Sequence, residues 1–238
     1  MKASGCGVSL LSKIWKEGIH RPGEKIVKRK GIPLKIGILA LQGAFAEHEK
    51  VLENLGVCSK ELRCRKDLDD SFSGFIFPGG ESTVQGKLLK DLDMLSPLKE
   101  KIEAGVPVLA TCAGLILLAG KIEDEPVSYF GTIPMTVRRN AYGRQLGSFY
   151  TEDEVRGIGT VPMTFIRAPY ITQTGPDVEI LSAVKGNIVG VRYKHQLAFS
   201  FHPELDKDLR IHREFLKMAE DFSKDQPKAP EAALKFSA

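Results

Sequence analysis

The stretch Val106-Pro107-Val108-Leu109-Ala110-Thr111-Cys112-Ala113-Gly114-Leu115-Ile116-Leu117-Leu118-Ala119 decides how this chain is read. Val106 to Ala110 is an apolar run of strand length. It meets a turn of small residues, Thr111 to Gly114, and then a second apolar run that suits a helix packed on a sheet. A cysteine at a strand-to-helix turn with small neighbours has the arrangement that holds a nucleophile on a sharp elbow. The helix behind it turns N–H groups and a positive dipole end toward the sulfur, which favours a thiolate and a developing oxyanion. A buried core cysteine fits this stretch equally well, because free cysteine packs as a small hydrophobe.

Upstream, Leu34 to Ala40 reads as a strand ending in Leu41-Gln42-Gly43. Ala44 to Leu55 then reads as a helix, with Phe45, Val51, Leu52 and Leu55 near one face and Gly56 as its stop. Val57 to Cys64 is a weaker strand, and Gly74 to Phe77 a clearer one that runs into Pro78-Gly79-Gly80-Glu81-Ser82. Helical patterns follow at Val84–Leu92 and Leu98–Ala104. Strand and helix alternate three times, the order of a parallel sheet covered on both faces. The expected fold is therefore α/β, doubly wound, with ligands at the carboxyl ends of the strands. Gly79-Gly80-Glu81-Ser82 and Cys112 both fall at such ends.

Downstream the texture changes to short strands at Thr132–Val137, Met163–Ile166, Val178–Val184, Ile188–Tyr193 and Leu197–Phe201, some of them antiparallel. A final helix from about Asp208 to Phe222 carries Leu209, Phe215, Leu216 and Ala219 toward the core. No internal repeat or linker interrupts residues 34–222, which reads as one domain.

The flanks differ from this body. Residues 1–35 hold nine Lys/Arg against two Asp/Glu, a net of +7 in a chain of net +4, so residues 36–238 carry −3. The basic character belongs to the arm, and so acidic a body makes nucleic acid an unsuitable principal ligand. Residues 1–33 are broken by glycine and proline, and their composition predicts a solvated, disordered arm, as that of 223–238 predicts a disordered tail. Val8 to Trp15 is too short and interrupted for a secretory apolar core. No apolar stretch is long enough to span a bilayer. The four cysteines, Cys6, Cys58, Cys64 and Cys112, show no C-x-x-C pairing, which fits a reducing, cytoplasmic setting without zinc or a disulfide framework.

A cysteine nucleophile needs a base, and the base needs a partner to orient it. His202-Pro203-Glu204 offers both. Proline biases the residue before it toward an extended conformation, and in an extended segment residues i and i+2 face the same side. The Glu204 carboxylate can then hold the His202 imidazole beside Cys112, a triad in role. The backbone N–H of Ala113 is one natural oxyanion donor, and Gly80, in the loop after the neighbouring strand, a natural second. Pro78-Gly79-Gly80 could equally be a plain strand-ending loop; a phosphate loop is excluded because the G-x-x-x-x-G-K-[ST] spacing is absent. His20, His48, His195 and His212 lack metal-ligand spacing and read as structural, so no metal is expected. Arg138, Arg139, Arg144 and Arg167 suit bidentate capture of a carboxylate, with surface ion pairing as the alternative.

Taken together, Leu41-Gln42-Gly43, Pro78-Gly79-Gly80-Glu81-Ser82-Thr83, Thr111-Cys112-Ala113-Gly114, Arg139-Asn140-Ala141-Tyr142-Gly143-Arg144-Gln145, Phe165-Ile166-Arg167-Ala168-Pro169 and Phe201-His202-Pro203-Glu204-Leu205 carry a resemblance. They resemble, in collinear order from about Leu34 to Phe222, the glutaminase subunits of pyridoxal 5′-phosphate synthase, a family of class I (triad) glutamine amidotransferases. Cysteine plus H-P-E marks the wider class; G-G-E-S-T, R-N-x-x-G-R-Q and F-I-R-A-P mark this subunit.

The resemblance implies hydrolysis of glutamine to glutamate and ammonia without a cofactor. It also implies transfer of the ammonia to a (β/α)₈ synthase partner in a large hetero-oligomer. Carried over by residue, Cys112 is the nucleophile, His202 and Glu204 complete the triad, and Gly80, Glu81, Ser82, Arg139, Ile166 and Arg167 contact glutamine. Gln42 to His48 resembles part of the surface that docks on the synthase. The chain departs from the family at Ala110, at Val84-Gln85-Gly86, in the short segment Lys121 to Gly131 and in its basic arm. Two rival readings are a glutaminase subunit of another amidotransferase, such as imidazole glycerol phosphate synthase, and a non-catalytic relative that only binds a partner.

Overall fold

The computed structural model describes residues 34–139 and 148–225. The basic arm, Asn140 to Gln145 with Arg144, and the tail beyond Asp225 lie outside the described residues.

Five parallel strands form the first half of the main sheet. They are β1 (Lys35–Leu39), β2 (Cys58–Leu62), β3 (Gly74–Phe77), β4 (Val108–Thr111) and a late arrival, β12 (Gln196–Phe199). Their order across the sheet is β2-β1-β3-β4-β12. Ala110 of β4 sits level with Phe77 on one side and Ala198 on the other, so β4 is central. The sheet continues through β11 (Asn187–Tyr193), β9 (Tyr170–Thr174), β6 (Ile133–Arg138) and β5 (Ala119–Ile122). Strands β9, β11 and β12 pair antiparallel in turn, β6 runs antiparallel to β9, and β5 is parallel to β6. Strand β10 (Glu179–Val184) adds to β11. A separate hairpin, β7 (Ser148–Val155) with β8 (Gly159–Ile166), packs against the body.

Alternation along the strands feeds two cores, one on each face of the sheet. Phe75, Phe77, Val108 and Ala110 face one core, where helices α2 (Ser82–Asp91), α3 (Leu95–Glu103) and α4 (Ala113–Leu118) supply Leu89, Leu98, Ile102 and Leu115. Ile76, Leu109, Leu197 and Phe199 face the other, with Leu52 of α1 (Phe45–Asn54) and Phe215 and Leu216 of α5 (Arg210–Asp225). The hairpin adds Val161, Met163 and Phe165 to that second core. Burying one such side chain fully is worth about 1.5–3 kcal/mol. The doubly wound, mostly parallel sheet with antiparallel strands in its second half is the architecture the sequence predicted.

The structure differs in detail. Helix α4 ends at Leu118, and Ala119 begins a strand, although the apolar run is continuous. Strand β12 stops at Phe199 rather than Phe201, and α5 runs on to Asp225, past the expected end of the domain. Strands β5, β7 and β9 were not foreseen, and β8 begins at Gly159 rather than Met163.

Candidate active site

The carboxyl ends of β1, β3 and β4 open on a cavity of about 290 Å³ lined by residues from several loops. Cys112 stands at its floor. Its backbone has φ 48° and ψ −100°, a conformation a side-chain-bearing residue adopts only under constraint. The constraint is visible on both sides. The Cys112 N–H donates to the Phe199 carbonyl of β12 at 2.8 Å, and α4 begins at the next residue. Gly114 lets this turn close. A Cβ there would lie 2.1 Å from the Phe77 carbonyl oxygen, so any side chain would push α4 off β3. The elbow exists because Cys112 is followed by residues small enough to pass that carbonyl.

His202 lines the same cavity as Cys112, whose thiol donates to the Ile166 carbonyl at 3.9 Å. The His202 Nδ1 lies 2.7 Å from Glu204 Oε1, and both side chains are buried. The expected extended geometry is not what joins them. Pro203–Leu205 forms a single 3₁₀ turn, closed by the Leu205 N–H on the His202 carbonyl, and this turn brings the carboxylate back to the imidazole. The His202 N–H donates to the Thr164 carbonyl of the hairpin, which fixes the start of the turn. Burial works against a charged imidazole here. The interactions with Cys112 and Glu204 outweigh it and push His202 up to about 10. Burial likewise opposes the Glu204 charge, but the imidazoles of His48 and His202 hold the carboxyl below its ordinary value. An imidazolium against sulfur, oriented by a carboxylate, is the state that supports thiolate attack.

The loop after β3 forms one wall. Gly79 packs so closely on His202 that a Cβ would fall 2.2 Å from Cε1 of the ring. The Gly79 N–H donates to Thr111 Oγ1 at 3.0 Å, and its carbonyl accepts from the Ala44 N–H at 3.0 Å. Gln42 Oε1 accepts from the Glu81 N–H at 2.6 Å. Gln85 is buried beneath, its Nε2 donating to the Gln42 and Pro78 carbonyls at 2.8 and 3.3 Å. The turn before α1 and the loop after β3 are thereby held as one unit. Ala113, in the first turn of α4, has a backbone N–H with no intrahelical acceptor available, and it borders the cavity with Gly80.

Glu81, Ser82, Arg139, Ile166 and Arg167 complete the lining. Glu81 caps α2, accepting from the Thr83 N–H at 3.3 Å. Arg139 is tethered from behind by Glu125 at 3.0 Å, Thr83 at 2.6 Å and Tyr129 at 3.4 Å. Arg167 sits at φ 43° where β8 ends. All nine residues that the sequence marked for the cavity therefore share it, with Glu204 behind His202. Arg138 does not belong with them. It is exposed and paired with Glu123 and Tyr170, the surface ion-pairing alternative.

His48 and His212, read from sequence as merely structural, stand behind the triad. His48 Nδ1 lies 3.0 Å from His212 Nε2, and His48 Nε2 lies 3.3 Å from Thr111 Oγ1 and 3.4 Å from Glu204 Oε2. A signal existed: His48 precedes Val51 and Leu52, and His212 precedes Phe215 and Leu216, at the spacing of a helix's buried face. Sequence could not show that the two faces meet.

Comparisons with known proteins identify the family of the chain. The model of the SNO glutamine amidotransferase family matches residues 38–221. A pyridoxal 5′-phosphate synthase subunit PdxT from Desulfitobacterium hafniense (strain DSM 10664 / DCB-2) is 63% identical over 183 residues, covering 77% of this chain and 92% of that protein. Its counterpart from Streptococcus pneumoniae (strain ATCC 700669 / Spain 23F-1) is 56% identical over 193 residues, covering 80% of this chain and all of the relative. A crystal structure of a glutamine amidotransferase superposes with a TM-score of 0.74 at 42% identity, over 77% of this chain and 98% of that one. This chain belongs to the SNO glutamine amidotransferase family.

Proposed function

We propose that this chain is the glutaminase subunit of a pyridoxal 5′-phosphate synthase, hydrolysing L-glutamine to L-glutamate and ammonia. The observation that carries the reading is a cysteine on a strained elbow that shares one cavity, at the carboxyl ends of parallel strands, with the histidine of a buried His–Glu pair. The family membership and the names of the relatives point to the same chemistry. The cavity volume of about 290 Å³ is at the lower end of small-molecule sites, which suits a free amino acid.

The steps follow from the residues. The Cys112 thiolate attacks the side-chain amide carbonyl of glutamine, forming a C–S bond and moving the π electrons onto oxygen. The N–H groups of Ala113 and Gly80 take up that oxyanion; losing one such donor typically costs about 10²–10³ in rate. The His202 imidazolium protonates the departing nitrogen, the C–N bond breaks, and ammonia leaves a γ-glutamyl thioester. His202, now neutral, takes a proton from water, hydroxide adds to the thioester, and glutamate departs with regeneration of the thiolate. Glu204 keeps Nδ1 of His202 occupied throughout, so that Nε2 faces the reacting atoms. Arg139 and Arg167 are the cationic lining residues and receive the α-carboxylate. Gly80, Glu81, Ser82 and Ile166 contact the rest of the substrate.

The relatives are named as synthase subunits, so the partner is a second, (β/α)₈ synthase subunit that receives the ammonia in a large hetero-oligomer. Residues 34–222 form the catalytic body, with α5 extending it to Asp225. The setting is cytoplasmic: Cys58, Cys64 and Cys112 are unpaired among the described residues, as in a reducing compartment. Glutamate release from glutamine, measured with the chain alone and with the synthase subunit of the same genome, tests the reading. Turnover that rises on adding the synthase supports it. A folded protein with Cys112 reduced and no turnover in either state would overturn it.

A further inference from the structure

Behind the triad lies a buried polar chain that the chemistry above does not use. Glu204 is almost wholly enclosed, and a carboxylate can only accept hydrogen bonds. Its Oε1 is taken by His202, whereas Oε2 makes no hydrogen bond of normal geometry. Nε2 of His48 stands 3.4 Å from Oε2, at ion-pair distance but outside hydrogen-bond geometry, a looseness common at catalytic contacts before substrate binds. His48 belongs to α1, on the far side of the sheet from α4, and is completely buried.

Oε2 can only accept, and the tautomer that serves it puts the proton of a neutral His48 on Nε2, shared with Thr111 Oγ1 at 3.3 Å. Nδ1 of His48 is then an acceptor and takes the Nε2–H of His212 at 3.0 Å. That leaves Nδ1 of His212 as the end of the chain, and it is indeed the ring nitrogen without a partner. Burial lowers both imidazoles below their ordinary values, His212 to about 3, while the Glu204 charge works the other way on each. The charged groups that His48 meets are Glu204, His202 and, on its own helix, Glu47.

Thr111 widens the reach of this chain. It immediately precedes the nucleophile, and its Oγ1 also accepts the Gly79 N–H, one residue before Gly80. One imidazole on α1 therefore touches the triad carboxylate and the residue that anchors the oxyanion loop. The turn before α1 also contacts that loop, through Ala44 on Gly79 and Gln42 on Glu81.

We propose that His48 is a positioning residue for this site: its Nε2–H holds Glu204 Oε2 and Thr111 Oγ1 together, so that α1 fixes His202 and the oxyanion loop through a single side chain. Without that donor, the buried carboxylate has an orphaned oxygen and must turn away or take up a proton, and in either case His202 loses its anionic partner. A core histidine kept only for packing would have no such effect on the sulfur.

The inference rests on the glutaminase reading for its kinetic arm only. The test compares the full-length wild type with His48→Met, His48→Gln and His212→Met, each shown folded by circular dichroism. Two quantities are read. The first is kcat and KM for glutamine. The second is the pH dependence of iodoacetamide alkylation, followed at the Cys112 peptide because Cys58 and Cys64 are exposed and also react.

For His48→Met the expected result is a kcat loss of about 10–100-fold, the scale of outer hydrogen-bond partners, with KM little changed. Its alkylation midpoint should rise by about one pH unit or more. His48→Gln, which keeps a donor toward Glu204, should recover most of both. Should His48→Met not fold, His212→Met is expected to move the midpoint in the same direction by less. A folded His48→Met, or failing it His212→Met, with the wild-type alkylation profile overturns the proposal. A wild type that releases no glutamate while His48→Met still shifts the profile removes the glutaminase reading and supports the coupling.

Discussion

Glu204 Oε1 meets His202 Nδ1 at 2.7 Å across one 3₁₀ turn, so the acid and the base of this site belong to a single rigid loop. The loop is clamped from outside by the Thr164 carbonyl and from behind by the second core. The cysteine, by contrast, arrives on a different strand. Pairing of β4 with β12, with Thr111 level with Phe199, is what sets the two halves of the triad in register.

Glu204→Gln tests the loop's chemistry without changing its shape. The amide can still accept from Nδ1, but it carries no charge to stabilise an imidazolium and can present its N–H₂ instead. A loss of about 10³–10⁴ in kcat is expected, as for other triads whose acid becomes an amide. Steady-state glutamate release checks it, and a loss under tenfold would remove Glu204 from the triad.

Gly114→Ala tests the elbow. The added Cβ would fall 2.1 Å from the Phe77 carbonyl oxygen, where only backbone displacement relieves it. Overpacking of this kind costs about 1–3 kcal/mol, and here it also displaces Cys112. Thermal melting should show a lower Tm, and the variant that remains folded should turn over glutamine more slowly than wild type.

Stability against pH should fall on both sides, for opposite reasons. His48 and His212 are buried neutral and lowered from 6.5, His212 to about 3. Below pH 6.5 the unfolded chain binds protons that the native state does not, so their contribution is present above 6.5 and lost on acidification toward pH 3. His202 is raised from 6.5 to about 10, so its contribution is complete below 6.5 and lost as the pH climbs through 10. Each group bends the curve by up to about 1.4 kcal/mol per pH unit. Urea unfolding from pH 4 to 10 should show a maximum near 6.5, and His212→Gln should flatten the acid limb alone.

The sequence made the strand–helix alternation of the first half and the Cys112 elbow readable, because both are local: each strand and the turn after it lie within a dozen residues. His202-Pro203-Glu204 was readable as a pair for the same reason, although the turn that joins them was not. Strand β7 was hidden because Ser148 to Val155 is an acidic, half-exposed ribbon with little apolar alternation. The end of α4 was hidden because an uninterrupted apolar run carries no period. The His48–His212 chain spans 164 residues, and only the crossing of α1 and α5 over the same sheet face brings it together.

The central claim is a covalent one, that glutamine is opened on Cys112. Acid quenching during turnover, followed by mass mapping, should find a γ-glutamyl adduct on the Cys112 peptide of the wild type. Cys112→Ala should show neither adduct nor turnover while keeping the wild-type circular dichroism spectrum. Wild-type glutamate release from a folded Cys112→Ala protein would contradict the account.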